Sequence, residues 1–235
     1  MSEPSAPGPL PLRGRVALVT GASRRIAIGA AIARRLVAEL RAAGGRVHHV
    51  PADLADPDAP AQLIQAARTA FGHVDVLIAN HARSSAQGLD EVTAAELDLS
   101  YAVNTRATLL LARLFAAQHD GRPGGRLLTF TSGQYHSAMP EELPYIATKA
   151  ALHQLTPSLA TALMPRGITV NCIDPGPNDT GYADERTRAA VAAANPGRRW
   201  STPTDTARLV AWLVSDEAEW ITGQVIASDG GWSAR

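Results

Sequence analysis

Residues 16–29, VALVTGASRRIAIG, decide the fold class of this chain. They begin as a short, β-branched apolar run, which is typical of a parallel strand buried on both faces. Small residues follow, and an alanine-rich helical pattern then runs from Ile28 to Leu40. Because backbone amides at such a strand–helix junction can bind phosphate, the stretch indicates a phosphate-binding loop, although an ordinary turn would give a similar pattern.

Strand-like and helix-like segments alternate along the rest of the chain. Strands are predicted at 16–20, 46–50, 74–79, 125–131, 168–173 and 224–228, and helices at 28–40, 59–71, 94–119, 145–164 and 205–213. This alternation predicts an α/β fold, a doubly wound parallel sheet with helices on both faces, in one domain over residues 13–235. Residues 1–12 are rich in Pro, Ser and Gly and are predicted to form a disordered tail.

Composition and charge exclude several classes of function. The formal net charge is zero and no basic run occurs, which argues against a nucleic-acid partner. No apolar stretch is long enough to cross a membrane. Cys172 is the only cysteine, so no internal disulfide can form and we expect a cytoplasmic protein. The histidines lack the spacing of metal ligands, so no metal site is expected.

Lys149 is the only lysine among the 22 lysine and arginine residues. Lysine carries a compact, titratable charge, whereas arginine carries a planar fork that stays charged, so a lone lysine suggests a site that arginine cannot serve. Tyr145 precedes it by four residues, which places both on one face of a helix. A phenol beside an ammonium can act as an acid–base catalyst, although such pairs also occur on solvated helix surfaces.

Several short motifs follow one another along the chain. They are Thr20-Gly21 with Ala27-Ile28-Gly29, Ala52-Asp53-Leu54, Ala79-Asn80-His81-Ala82, Val103-Asn104, Ser132, Tyr145-x-x-x-Lys149, Pro175-Gly176 with Thr180, and Asp229-Gly230-Gly231. In this order and spacing the chain resembles the short-chain dehydrogenase/reductase family, and most closely its bacterial 3-oxoacyl-[acyl-carrier-protein] reductase-like members. The resemblance spans residues 16–231 and implies a Rossmann-like fold.

The resemblance implies a catalytic set of Ser132, Tyr145, Lys149 and Asn104. Tyr145 would be the general acid and Lys149 would stabilise its anion. Ser132 would polarise the substrate oxygen, and Asn104 would help to hold a water molecule beside Lys149. Tyr135 and His136 are candidates for the lining of the substrate pocket.

A nicotinamide dinucleotide is the cofactor that the resemblance implies. Its binding residues would be Gly21, Ser23, Arg24, Ile28, Asp53, Leu54, Asn80, Ala82, Tyr145, Lys149, Pro175, Gly176 and Thr180. Arg24 and Arg25 at the phosphate loop favour NADP, with NAD as the alternative, because a basic side chain there suits a 2′-phosphate.

The reaction that the resemblance implies is hydride transfer between nicotinamide and a ketone or secondary alcohol, with a 3-oxoacyl thioester as the preferred substrate. Alternatives are a polyketide, sugar or alcohol dehydrogenase on the same scaffold, or a catalytically silent dinucleotide-binding regulator. Enoyl reductases of the same superfamily have a longer interval between the Tyr and the Lys, so the three-residue interval between Tyr145 and Lys149 argues against that activity. Residues 180–203 would form a substrate lid, and the assembly would be a homotetramer or homodimer.

The interval between Gly29 and Asp53 is shorter than the resemblance requires. It holds one helix and one strand, where the family has two of each. One βα segment is therefore absent between Ala33 and Arg41, and with it the strand whose end reads the adenosine 2′ position. Omission of a segment from the given sequence is preferred over a true deletion, because loss of an inner strand would leave sheet hydrogen bonds unpaired.

Overall fold

Five parallel strands form the centre of the molecule, in the spatial order β1-β2-β3-β4-β5. The computed structural model describes residue 12 and residues 14–41, 46–181 and 183–234. The strands are Ala17–Val19 (β1), Val76–Ala79 (β2), Gly125–Phe130 (β3), Ile168–Asp174 (β4) and Val225–Ala227 (β5). Each strand pairs with its neighbour in parallel, which confirms the predicted parallel sheet.

Helices cover both faces of the sheet, as a doubly wound fold requires. They are Ile28–Arg41 (α1), Ala59–Phe71 (α2), Ala94–Ser100 (α3), Ala107–Gln118 (α4), Leu143–Leu163 (α5), Glu185–Ala194 (α6) and Pro203–Leu213 (α7). Helices α1 and α7 pack on one face, and α2, α4 and α5 pack on the other. No described helix is long and apolar enough to cross a membrane.

Successive residues of each central strand enter opposite halves of the core, because side chains alternate across a strand. In β2, Val76 and Ile78 pack with α1 and α7, whereas Leu77 packs with α2 and α4. Leu127 and Leu128 of β3 divide in the same way. Both faces of these strands are therefore buried, which explains the unbroken apolar sequence of β2, Val76–Ala79.

The predicted strand at residues 46–50 is wrong. These residues form no strand in the described part of the chain, and Arg46, Val47, His48 and His49 are exposed. Val50 alone among them packs against the core. A β-prone composition does not make a strand unless a neighbouring strand accepts its hydrogen bonds, and the described pairing of β1 is with β2 only.

Helix α1 runs without interruption from Ile28 to Arg41, across the whole interval in which a join was predicted. Because the structure contains only the 235 residues of the sequence, the preference for omission over a true deletion stays a prediction. The absence of the βα segment itself is confirmed by the five-stranded sheet, in which β1 lies at the edge.

Two other predicted segments differ from the structure. The long helix predicted at 94–119 is divided by a π-helical turn at Tyr101–Arg106, between α3 and α4. Of the predicted tail, residues 1–11 lie outside the described residues. Leu12, which was assigned to that tail, is buried with Val210 of α7 in the core.

Candidate active site

The phosphate loop joins β1 to α1 at the carboxyl end of the sheet. Gly21 has φ of 69°, and a Cβ there would lie 2.7 Å from the Cα of His81. A Cβ at Gly29 would overlap the carbonyl group of Gly21. Both positions therefore require glycine, since a side chain would close the loop against its neighbours. The exposed backbone beside the N-terminus of α1 fits a bound phosphate group.

The predicted cofactor-binding residues of the phosphate loop lie on its solvent-exposed side. Ser23 and Arg24 are exposed, and Ile28 begins α1. Arg24 donates a hydrogen bond of 3.3 Å from Nη2 to the carbonyl oxygen of Thr180. The phosphate loop is thus in contact with the start of the segment predicted to be a lid.

Hydrogen bonds of Asn80 join the end of β2 to the phosphate loop. Its Nδ2 donates to the carbonyl oxygens of Thr20 and Gly21 at 3.4 and 3.3 Å, and its backbone N donates to Thr20 Oγ1 at 3.2 Å. Ala82, two residues further on, is exposed. Asn80 therefore fixes the conformation of the phosphate loop through these hydrogen bonds, and Ala82 is exposed to solvent.

Asp53 and Leu54 lie where the irregular segment returns to the sheet before α2. Asp53 is exposed and its Oδ1 accepts a 2.9 Å hydrogen bond from the backbone N of Ala55. Leu54 is buried in the core with Leu63 and Ile64 of α2. The aspartate is accordingly held in a turn on the open surface, at the β1 side of the sheet.

Tyr145 and Lys149 occupy successive turns of α5, as their spacing predicts. The Nζ of Lys149 lies 5.7 Å from the centroid of the Tyr145 ring. Lys149 is 2% exposed, and its Nζ donates a 2.9 Å hydrogen bond to the carbonyl oxygen of Phe130, at the end of β3. Lys149 is therefore buried and Tyr145 half-buried, so the pair does not lie on a fully solvated helix surface.

Burial lowers the pKa of the Lys149 ammonium from 10.5 to about 8, because the charged form loses its hydration. Within the described residues, Lys149 forms no ion pair with a carboxylate. A buried cation without such a partner is costly to the fold, and costly charges of this kind concentrate at functional sites.

Ser132 lies at the carboxyl end of β3 and begins a short 3-10 turn, Gly133–Tyr135. Gln134 shapes this loop: its Oε1 accepts from the backbone N of Ser132 at 3.1 Å, and its Nε2 donates to Thr131 Oγ1 at 2.8 Å. Thr131 in turn donates to the carbonyl oxygen of Lys149 at 3.1 Å. The serine loop and the Tyr145–Lys149 helix are thereby tied together.

Asn104 lies in the π-helical turn and is fully buried. Its Oδ1 accepts from the backbone N of Arg83 at 2.7 Å, and its Nδ2 donates to the Arg83 carbonyl oxygen and to Thr148 Oγ1. Thr148 donates to the carbonyl oxygen of Tyr145 at 2.7 Å. Asn104 thus braces the helix that carries Tyr145, and its water-holding role stays a prediction.

Pro175, Gly176 and Thr180 follow β4 at the same end of the sheet. Gly176 has φ of 59°, and its backbone N donates to Asp174 Oδ1 at 2.9 Å. The segment continues into α6, and a bridge between Asn178 and Ser201 joins the two ends of the predicted lid. The elements that carry Ser132, Tyr145, Lys149 and the phosphate loop therefore open on one edge, as expected for parallel strands.

Sequence reasoning missed two buried polar groups at this edge. His81 was assigned no role from the sequence, yet both of its ring nitrogens are hydrogen-bonded. Asp174 is buried at the end of β4, and the pKa of the Tyr135 hydroxyl is raised by partial burial of that ring and then by the Asp174 carboxylate. Their position directly at or after a buried strand end is a signal that could have identified both.

The model of the family described as "Enoyl-(Acyl carrier protein) reductase" matches residues 21–233. The uncharacterized oxidoreductase YjdA of Bacillus subtilis is 37% identical over 241 residues, covering 92% of this chain and 96% of that protein. The alignment spans 241 positions although it covers only 92% of the 235 residues of this chain. YjdA therefore has residues without a counterpart here, in agreement with an absent βα segment.

Two solved structures are similar over nearly the whole chain. The promiscuous reductase LugOII, which catalyses keto-reduction at C1 during lugdunomycin biosynthesis, has a TM-score of 0.85 and 34% identity, covering 95% of this chain and 99% of that chain. The angucycline C-6 ketoreductase LanV with bound NADP has a TM-score of 0.84 and 30% identity, covering 95% and 97%. From the family match and these similarities, the chain belongs to the short-chain dehydrogenase/reductase family of oxidoreductases.

Proposed function

We propose that this chain is an NADP-dependent ketoreductase that reduces a carbonyl group of a polyketide-type substrate to a secondary alcohol. The observation that carries the proposal is the buried Lys149 ammonium 5.7 Å from the Tyr145 ring, beside the serine loop. The keto-reductions named for LugOII and LanV support a polyketide carbonyl over the 3-oxoacyl thioester that the sequence resemblance favours.

Tyr145 is the proton donor in this proposal. Reduction places negative charge on the carbonyl oxygen, and a phenol within hydrogen-bonding reach neutralises it as general acid. Lys149 stabilises the resulting tyrosinate through its nearby positive charge. Ser132 donates a hydrogen bond to the same oxygen and polarises the carbonyl before the reaction. NADPH, when bound, supplies the hydride.

Asn104 has a supporting role in this scheme. Its hydrogen bond to Thr148 and the bond from Thr148 to the Tyr145 carbonyl oxygen fix the first turn of α5. Holding the phenol within a few tenths of an ångström of the substrate oxygen matters, because misplacement by about 1 Å can cost about 100-fold in rate.

The cofactor would lie along the carboxyl edge of the sheet. Gly21, Ser23 and Ile28 would bind the pyrophosphate through backbone amides, and the exposed guanidinium of Arg24 suits the 2′-phosphate of NADP. The other proposed contacts are Asp53, Leu54, Asn80, Ala82, Pro175, Gly176 and Thr180. The NADP bound to LanV supports this preference.

Residues 180–203 are proposed to close over the substrate. The contact of Arg24 with Thr180 and the bridge from Asn178, just before this segment, to Ser201 near its end limit where the segment can bend. The assembly is proposed to be a homotetramer or homodimer, for which the exposed Leu97 and Tyr101, one turn apart, offer apolar surface. The free, buried Cys172 supports a cytoplasmic location.

The test is a turnover screen with purified protein, NADPH or NADH, and a panel of aromatic cyclic ketones beside a 3-oxoacyl thioester. We expect NADPH oxidation with the aromatic ketones and a fall of at least about 100-fold in kcat for Tyr145→Phe. An unchanged rate in that variant would contradict the proposal. Tight NADPH binding without turnover of any ketone would instead favour the silent regulator.

A further inference from the structure

His81 lies just beyond the carboxyl end of β2, two residues after Ala79, and is almost fully buried. The residue is 7% exposed and lies between the phosphate loop and the π-helical turn Tyr101–Arg106. Its Nδ1 is 2.6 Å from Thr20 Oγ1, and its Nε2 is 3.0 Å from the carbonyl oxygen of Val103. Both ring nitrogens are therefore used, on opposite sides of the ring.

The hydrogen bonds define which nitrogen carries the proton. A carbonyl oxygen only accepts, so Nε2 must donate to Val103. Thr20 Oγ1 accepts from the backbone N of Asn80, and its single proton faces two acceptors, the carbonyl oxygen of Ile78 at 3.3 Å and Nδ1 of His81 at 2.6 Å. Because Nε2 carries the ring proton, Nδ1 is the acceptor in the shorter of these two contacts. Burial and the positive charge of Lys149 lower the pKa of His81 to about 4, in agreement with a neutral ring that both accepts and donates.

The bond to Val103 coincides with the π-helical turn. In an α-helix the backbone N of Ala107 would donate to Val103, but here it donates to the carbonyl oxygen of Ala102. Insertion of a side chain into the hydrogen-bond ladder is a recognised cause of such irregular turns. The imidazole supplies a donor to the carbonyl oxygen that Ala107 does not reach.

The π-helical turn determines where Asn104 points. Asn104 follows Val103 directly, and its amide bonds Thr148, which in turn bonds the Tyr145 carbonyl oxygen. Hydrogen bonds therefore connect Thr20 to His81 and His81 to Val103, the peptide bond leads on to Asn104, and further hydrogen bonds connect Asn104 to α5.

We propose that His81 is a positioning residue, which holds the π-helical turn through Val103 and thereby places Asn104 and the Tyr145 end of α5 for proton transfer. The inference rests on the proposed function, since it assigns an effect on a step that Tyr145 performs. It predicts that the bond to Val103 matters for kcat, whereas the binding of NADPH and ketone is little affected.

Two amide substitutions separate the two bonds of the ring. The side-chain nitrogen of Gln reaches the position of Nε2, so His81→Gln can still donate to Val103. The shorter His81→Asn reaches only the position of Nδ1 and can accept from Thr20, but it loses Val103. Exposed His49, changed to Asn and to Gln, provides the matched controls.

The experiment measures kcat and KM for a turned-over ketone, the Kd of NADPH by fluorescence, and the Tm of each variant. We expect kcat to fall about tenfold in His81→Asn and less than about threefold in His81→Gln, with Kd and KM within about twofold of the wild type. This rescue by Gln would not arise from a general loss of stability, since kcat is measured per folded molecule.

Equal kcat values for the Asn variant and the wild type would overturn the inference, as would a rise of Kd with unchanged kcat. If His81→Asn does not fold, the kcat of His81→Gln alone tests the inference. This variant keeps the donor to Val103, so a tenfold loss of kcat in folded His81→Gln would contradict a role through Val103. Tyr145→Phe is measured in parallel, since its full activity would reject the proposed function whatever His81 does.

Discussion

The β1 edge of the sheet and its β3–β4 centre differ in how much of the family architecture they keep. At the centre, β3, β4 and α5 bring Ser132, Tyr145 and Lys149 to one place through buried hydrogen bonds. At the β1 edge a βα segment is absent, and residues 46–50 lie exposed without a strand partner among the described residues. The reacting groups and the remote cofactor contacts are thus carried by separable parts of the fold.

This separation has a physical reason. Hydride and proton transfer need a few groups held within a fraction of an ångström, which a strand buried on both faces provides. The remote end of a dinucleotide contributes binding energy over a broad surface, so part of that surface can be lost without moving the reacting groups. We therefore expect substitutions at the centre to change catalysis and substitutions at the edge to change little.

The largest effect is expected for Lys149→Arg. The variant keeps the positive charge but replaces a compact ammonium by a planar fork, in a site where Lys149 is 2% exposed. We expect kcat for ketone reduction to fall at least about 100-fold. Circular dichroism confirms the fold of the variant, and a rate near that of the wild type would mean that charge alone suffices.

Gly29→Ala is expected to weaken NADPH binding about tenfold or more. Its Cβ would overlap the Gly21 carbonyl group and push the phosphate loop out of shape, and such overpacking costs about 1–3 kcal/mol. Gly133→Ala is the matched control, because a Cβ there meets nothing within 4 Å. Fluorescence titration with NADPH measures both, and equal Kd values would refute the phosphate-loop assignment.

The pH dependence of reduction tests the burial of Lys149. Its pKa is lowered to about 8, so the ammonium is present below that pH and is lost as the pH rises through it. Because kcat/KM reports the free enzyme, kcat/KM should decline above about pH 8. A profile that stays flat to about pH 10, near the ordinary lysine pKa, would show that the ammonium is hydrated.

The smallest effect is expected at the β1 edge. Val47 is 64% exposed, and Val47→Asp should change the free energy of unfolding by less than about 0.5 kcal/mol. Val170 of β4 is 0% exposed, and Val170→Ala should cost about 1–3 kcal/mol. Urea denaturation compares the two. An equally large loss for Val47→Asp would mean that residues 46–50 are paired to β1.

Local sequence patterns predicted the parts of the molecule that local physics controls. The glycines of the phosphate loop and the Tyr145–Lys149 spacing follow from turn geometry and helical periodicity, and both were placed as predicted. Residues 46–50 were predicted wrongly, because a strand forms only when a neighbouring strand pairs with it. That neighbouring strand would have belonged to the absent βα segment. The π-helical turn contacts His81 through the carbonyl oxygen of Val103, and because these residues are distant in sequence, no local pattern could reveal that contact.

Transfer of hydrogen from the cofactor to the carbonyl carbon is the most direct test of the central claim. NADPH deuterated at the transferable position of the nicotinamide is incubated with the protein and an aromatic ketone, and the alcohol is examined by mass spectrometry. The account predicts one deuterium on the carbinol carbon with wild-type protein and no labelled alcohol with Tyr145→Phe. An alcohol without deuterium, or the absence of alcohol despite saturating NADPH, would contradict it.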